Sequence, residues 1–210
     1  CAAVGTVLFL KAQALREWRI EPRAHASLLG PLTVPGFASL LMVVLCYSAA
    51  FGLIEIAVTG YARSRGQPAL AGVMLGLMSV GSVSGALAYG SRTWRWPLAI
   101  QFGASLALLG AGAALLSMVE HPLGFSIACV LAGVTMSPPL IMQSMLVARA
   151  VRPEHSTEAF TWASTSLLAG VSLGIAAGGA ILESGNFPEA FGAASAAGFA
   201  AACLAGMRRR

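Results

Sequence analysis

Glu55 is the one side chain in the apolar part of this sequence that could do acid–base chemistry. It lies in CYSAAFGLIEIAVTGYARSRG, where apolar or small residues precede and follow it. A carboxylate in that setting can exchange a proton or hold a cationic group. Ser48, Gly52 and Thr59 fall at spacings of three and four along the same segment, so a helix would align them with Glu55 on one face. We expect this polar stripe to face a bundle interior or a water-filled cavity.

Two interpretations of Glu55 follow from its position near one end of the segment. In the first, the carboxylate binds a proton or a cationic substrate group and couples its occupancy to a conformational switch. In the second, it pairs with Arg63 or with a residue outside this sequence, and acts as a gate or helix-end anchor. The sequence leaves both open.

The composition places the chain among membrane proteins. Hydrophobic residues make up 57% of its 210 residues and charged residues 10%, whereas soluble domains carry about 25% charged residues. Its 13 basic residues form short clusters between apolar runs rather than one basic face, which argues against nucleic acid as a partner.

No motif indicates an enzyme, a metal site or a cofactor. The four cysteines lie in apolar stretches without a CxxC pair, and the three histidines fall in expected loops. There is no Gly-rich phosphate loop and no Ser-His-Asp set. A membrane enzyme is therefore disfavoured.

Six segments have the length and hydropathy of transmembrane helices. We expect the chain to be all-α and multi-pass, with short connections that make sequential helices antiparallel neighbours. The six predicted spans are residues 36–59, 69–89, 97–119, 123–147, 159–182 and 190–207, and Glu55 is the one charged residue within them.

Arginines predict the orientation. Basic residues precede the first span, follow the second and fourth, and end the chain, whereas the other side carries Arg63 and Arg65 together with three glutamates. The positive-inside rule then puts the C-terminus in the cytoplasm, in the inner (plasma) membrane of a cell.

The remaining segments are expected to be parts of a larger architecture. Residues 1–10 are too short to cross a bilayer and are interpreted as the end of a truncated helix. Residues 11–35 would form a central cytoplasmic linker, 36–207 the six-helix bundle, and 208–210 a basic cytoplasmic tail. A complete six-helix chain that dimerises is the alternative.

Small residues and prolines predict how the spans pack. Gly170, Gly174 and Gly178 recur every four residues, which gives a groove where another backbone can approach. The groove is either a sliding interface or a static packing contact. Pro138 and Pro139 interrupt the backbone hydrogen bonding of the fourth span, which membrane helices tolerate where neighbours or cavity water satisfy the freed carbonyls.

The sequence resembles the major facilitator superfamily, in particular the C-terminal six-helix half of its bacterial efflux-type members. The similarity lies in GLIEIAVTGYARSRGQPALAGVMLGLMSVGSVSGALAYGSR, which looks like the seventh and eighth helices, and in EAFTWASTSLLAGVSLGIAAGGAIL, which is similar to the eleventh. GALAYGSRTWR resembles the second-half echo of the family's loop signature. The matching positions are Gly85, Leu87, Arg92 and Arg95, while Tyr89 stands where the signature has Asp.

The resemblance implies a secondary active transporter, with small-molecule efflux coupled to H⁺ or Na⁺ by alternating access of two six-helix halves in the lipid bilayer. It implies a central cavity whose lining would include Tyr47, Ser48, Glu55, Met136 and Gln143. For Gln143, an interhelical hydrogen bond is the equal alternative to a substrate contact, and simple packing is the alternative for Met136. A non-transporting scaffold or sensor on the same fold is the rival function.

Overall fold

The computed structural model describes residues 29–184 and 186–207. These ranges contain six helices, two single 3₁₀ turns and no strand. The helices are α1 (Phe37–Ser64), α2 (Leu70–Gly90), α3 (Leu98–Met118), α4 (Pro122–Ala150), α5 (Ser156–Glu183) and α6 (Phe187–Met207). Each is long and apolar enough to cross a bilayer, which confirms the expected all-α, six-span architecture. The truncated helix, the linker up to residue 28 and the basic tail lie outside the described residues.

Local sequence explains where the helices begin and end. Helix α1 runs five residues past its predicted end at Thr59, to Ser64. It stops because Gly66 takes a left-handed conformation, with φ of 68°. The amide of Gln67 then donates to the Ala62 carbonyl at 3.2 Å and that of Gly66 to the Arg63 carbonyl at 2.9 Å, which is the Schellman pattern. Proline precedes α3 and opens α4, where its missing N–H costs nothing.

The packing order differs from the chain order. The most extensive contacts are those of α1 with α5, α3 with α6, α2 with α4, α1 with α6, and α3 with α4. The expectation that sequential helices are close neighbours therefore holds for α3 and α4; the pairs α1–α2, α4–α5 and α5–α6 touch only over small areas, and α2 and α3 make almost no contact. Partner choice follows the small-residue faces, because in lipid helices associate through close van der Waals packing and not through hydrophobic burial.

Two sets of three helices repeat within the bundle. Helix α4 begins 85 residues after α1, and α6 begins and ends 89 residues after α3. Exchanging the first three helices with the last three converts four of the five extensive packing pairs into one another and leaves the α3–α6 pair unchanged. Because each set holds three membrane-crossing helices, the second set runs in the opposite direction to the first. The described bundle is an inverted repeat.

The glycine contacts between helices repeat with the same two shifts, of 85 and 89 residues. On α5, a Cβ at Gly170 or Gly174 would overlap the carbonyl of Leu45 or Ala49 on α1. On α2, a Cβ at Gly81 or Gly85 would overlap the carbonyl of Val130 or Val134 on α4. The α2 glycines are 89 residues before the α5 glycines, and the α1 carbonyls are 85 residues before those of α4. The small residues thus make α2 pack on α4 in the same way as α5 packs on α1.

Aromatic contacts locate the two ends of the bundle. At the end of α1, the ring of Tyr61 stacks on Phe125 with centroids 3.7 Å apart and meets Phe187 edge-on at 5.5 Å. The end of α1 and the beginnings of α4 and α6 therefore lie together. At the opposite end, Tyr89 stacks on Trp94 at 5.5 Å and its hydroxyl donates to Gln101 at 2.8 Å.

Candidate functional site

Glu55 lies on the exposed surface of α1. The expected stripe around it does not share one environment. Ser48 is fully buried, with its hydroxyl donating to the Leu45 carbonyl at 3.1 Å, and a Cβ at Gly52 would overlap the Val171 carbonyl of α5. Helix α5 thus covers Ser48 and Gly52 but leaves Glu55 on the surface. The stripe therefore faces the interior only in its first two members.

Arg63, the suggested partner of Glu55, lines a crevice at the Tyr61 end of the bundle. The crevice has a volume of about 810 Å³ and lies between α1, α5 and the start of α6. Glu183 lines it as well, whereas Glu55 does not. The arginine thus shares its surroundings with a carboxylate of α5, and the coupling role of Glu55 stays a prediction.

Tyr47 and Gln143 form a buried polar contact between α1 and α4. The hydroxyl of Tyr47 donates to Oε1 of Gln143, and both residues are buried. The rings of Phe51 and Phe102 pack edge-on against Tyr47, with centroids 5.4 and 6.2 Å away. This geometry is the interhelical hydrogen bond that the sequence left as one alternative for Gln143, and it closes the bundle between the two repeats.

Met136 and the two prolines occupy one segment of α4. Pro138 and Pro139 are both inside the continuous helix, Pro139 is buried, and Met136 is half-buried against the core. Because Pro138 has no N–H, the carbonyl of Val134 loses its helical donor. That carbonyl is the one on which Gly85 packs.

The three glycines of α5 lie at the α1 contact, as their spacing predicts. Gly170, Gly174 and Gly178 are buried, and the last faces the side chain of Ile56. The structure has the close backbone approach that either a sliding or a static interface requires.

The loop-signature residues gather at the Tyr89 end. Gly85 of α2 is buried against α4. Leu87 near the end of α2, and Arg92 and Arg95 beyond it, are exposed. Nε1 of Trp94 donates to the Tyr89 carbonyl at 3.1 Å, and Nε2 of Gln101 donates to the Trp96 carbonyl at 2.6 Å. These bonds hold the connection between α2 and α3 against the bundle.

Sequence reasoning missed a row of hydroxyls on α5. The row is exposed and lies on helical spacings along more than half of the helix; its members are Thr157, Thr161, Ser164, Thr165 and Ser172. A shallow groove of about 530 Å³ follows its first half. The signal was present in the sequence, because threonines recur every four residues at 157, 161 and 165.

Exposed polar side chains divide the bundle surface. Apart from the first and last turns of the helices, they occur on α1, α2, α4 and α5; beside the α5 hydroxyls these are Glu55, Ser79, Ser84 and Ser144. The exposed residues of α3 are apolar throughout, and those of α6 are apolar or small after its first turn. One set of helices thus suits lipid, and the other suits water or a polar partner.

No group of three His, Cys, Asp or Glu side chains that could hold a metal ion occurs in the described part of the chain. Between the end turns of the described helices, the surface offers the carboxylate of Glu55, several hydroxyls and apolar walls. Such a surface can bind a small molecule through hydrogen bonds and exchange a proton.

Comparison of the chain with protein-family models, with curated proteins and with solved structures finds no match in any of the three.

Proposed function

We propose that this chain forms one six-helix bundle of a secondary active membrane transporter of the major facilitator type, which exports small molecules in exchange for protons by alternating access. The inverted repeat of three helices supports the proposal. Transporters are often built from such repeats, with the substrate site at the interface between bundles near the bilayer midplane.

The observation that carries the proposal is the uneven distribution of polar side chains on the bundle surface. A hydroxyl row on α5 and a carboxylate on α1 are exposed in helices that are otherwise apolar. The hydroxyls of Thr161 and Thr165 donate to carbonyls of their own helix, so the row presents polar oxygens at little cost. In hydrocarbon a carboxylate is costly, and it is found where it lines water or meets a protein partner. A second six-helix bundle, with a water-filled cavity between the two, would supply both.

In this proposal, each polar group has a role. Glu55 carries the exchanged proton, and the α5 hydroxyls bind polar groups of the substrate. Tyr47 and Gln143 hold α1 to α4 so that the two repeats move as one body. The basic loops and the C-terminus lie on the cytoplasmic side of the inner membrane, following the positive-inside rule.

The test is proton movement in liposomes that contain the purified protein with both six-helix bundles present. Ethidium serves as a cationic probe substrate, and pyranine trapped inside reports internal pH. We expect addition of ethidium to change internal pH when the protein is present and an inward pH gradient is imposed. Protein-free liposomes are the control. Ethidium and pH traces identical to those of empty liposomes would favour the non-transporting scaffold or sensor instead.

A further inference from the structure

A second crevice is lined by α2, α3, α4 and the connection between α2 and α3, and by no residue of α5. It has a volume of about 260 Å³ and opens between α2 and α3 at the Tyr89 end. These two helices make little direct contact, and α4 lies beneath them as the floor. The crevice exists because the packing order separates two helices that are adjacent in sequence.

The walls of the crevice are mostly apolar, and the hydroxyls of Ser105 and Thr135 in its lining donate to carbonyls of their own helices. Ala88, Ala104 and Leu108 line its sides and are exposed, and Val134, Pro138 and Met142 of α4 line its floor. Small residues on α2 and α3 leave a slot between the helices, and no polar side chain of the hydroxyl row enters it. An acyl chain fits such a surface, because hydrocarbon gains close contacts there.

The mouth of the crevice is basic and aromatic. Arg92 lines it together with Trp94 and Trp96, whose side chains are 46% and 61% exposed. Arg149 is close enough to Tyr89 to interact with it electrostatically. Exposed tryptophans are typical of the lipid headgroup level, and basic pockets between membrane helices bind anionic headgroups.

The crevice at the Tyr61 end provides a contrast. It is lined by Arg63 but also by Glu183, so the two charges offset each other. Among the residues that the structure describes, no carboxylate lines the crevice at the Tyr89 end, and Arg92 is the lining residue that carries a charge. Charge complementarity therefore favours an anionic ligand at one end of the bundle and not at the other.

We infer that the crevice between α2 and α3 binds an anionic phospholipid. One acyl chain lies along Ala104 and Leu108, the phosphate pairs with Arg92, and Trp94 and Trp96 flank the headgroup. The lipid site uses neither Glu55 nor the α5 hydroxyls, so it can be tested separately from the proposed transport.

The experiment uses tryptophan quenching by brominated lipids. Trp18→Phe and Trp162→Phe leave Trp94 and Trp96 as reporters in the full chain. The protein is placed in vesicles of phosphatidylcholine with either brominated phosphatidylglycerol or brominated phosphatidylcholine as the minor component. We expect phosphatidylglycerol to quench at about fivefold lower mole fraction, because one arginine near an anionic surface contributes that much selectivity.

Matched variants separate the headgroup from the acyl chain. Arg92→Gln should remove the preference for phosphatidylglycerol, while Arg95→Gln, in the same connection but outside the crevice lining, should retain it. Ala104→Phe should fill the slot and reduce quenching by both lipids; Ala177→Phe, on the exposed surface of α5, should not. All four positions are exposed, and circular dichroism checks that each variant folds.

Three results would overturn the inference. Equal quenching by the two lipids in the parent protein would mean that ordinary surrounding lipid contacts the tryptophans. Relief of phosphatidylglycerol quenching by millimolar glycerol phosphate would indicate an anion site that needs no acyl chain. Unchanged selectivity in Arg92→Gln would likewise remove this residue as the headgroup ligand.

Discussion

At the scale of single residues, Glu55 is the carboxylate that can be removed without disturbing packing, because its side chain is exposed. Glu55→Gln keeps the shape and the hydrogen-bonding capacity but cannot carry a proton. We expect proton-coupled flux in liposomes to fall by about tenfold or more, as loss of a proton-transfer group does. Unaltered proton-coupled efflux in this variant would end the coupling hypothesis. Glu183→Gln, at the end of α5, is the matched control and should transport normally.

Tyr47 presents a different residue-scale case, because its hydroxyl is buried. Tyr47→Phe leaves Oε1 of Gln143 without its donor in a buried site, and we expect a loss of about 1 kcal/mol in the free energy of unfolding. The measurement is thermal unfolding in detergent micelles. Tyr61→Phe is the comparison: the Glu120 carbonyl that it releases also accepts from Arg65 and lies beside exposed groups, so less stability is lost. Equal losses in the two variants would contradict the assigned role of the Tyr47–Gln143 contact.

At the scale of the helix, glycines decide how closely α5 approaches α1. Gly174→Ala puts a methyl group into the Ala49 carbonyl, so α5 must move away, and overpacking of this kind costs about 1–3 kcal/mol. Gly179→Ala is a control in the same helix, because no atom lies within 4 Å of its added Cβ. The first variant should unfold at lower temperature than the parent and the second should not. If both are neutral, the interface is looser than the glycine contacts indicate.

The packing order itself can be tested by cross-linking between helices. Oγ of Ser82 on α2 and Oγ of Ser137 on α4 are 2.5 Å apart. Replacing both by cysteine should give a disulfide on mild oxidation, detected by mass after proteolysis between the helices. Ser84 and Ser105 lie at similar depths on the sequential helices α2 and α3 and should not cross-link when both are changed to cysteine. A cross-link between positions 84 and 105, with none between positions 82 and 137, would mean that the sequential helices α2 and α3 are neighbours after all.

The sequence was enough to predict the helices but not their partners. Apolar length alone identified six spans, because every membrane-crossing helix must satisfy its own backbone. Their pairing depends on which small residues face each other, and Gly81, Gly85 and Gly133 could have paired with several helices equally well by spacing. The environment of Ser48 could not be predicted for the same reason: it is buried because α5, more than a hundred residues away, covers it.

At the scale of the whole molecule, the inverted repeat has one consequence for function. A crevice lies at each end of the bundle, one lined by α1 and α5 and the other by α2, α3 and α4. The repeat is symmetric in packing but not in chemistry, because the α5 hydroxyls are replaced at the equivalent α2 positions by residues such as Gly72 and Gly76. A substrate path along this surface would therefore meet hydroxyls on the α5 side and, on the α2 side, glycines that have no side chain.

The final prediction tests that surface directly, through its access to water. In a background without the four native cysteines, Thr165→Cys places a thiol in the hydroxyl row, and Ala200→Cys places one at a similar depth on the exposed side of α6. Thiols react as thiolates, which form in water and not in hydrocarbon. We expect a membrane-impermeant methanethiosulfonate to label the α5 position about tenfold faster, measured in membranes containing the full chain. Equally slow labelling at both positions would place the hydroxyl row in lipid or beneath a dry protein contact, and the proposed transport surface would then be wrong.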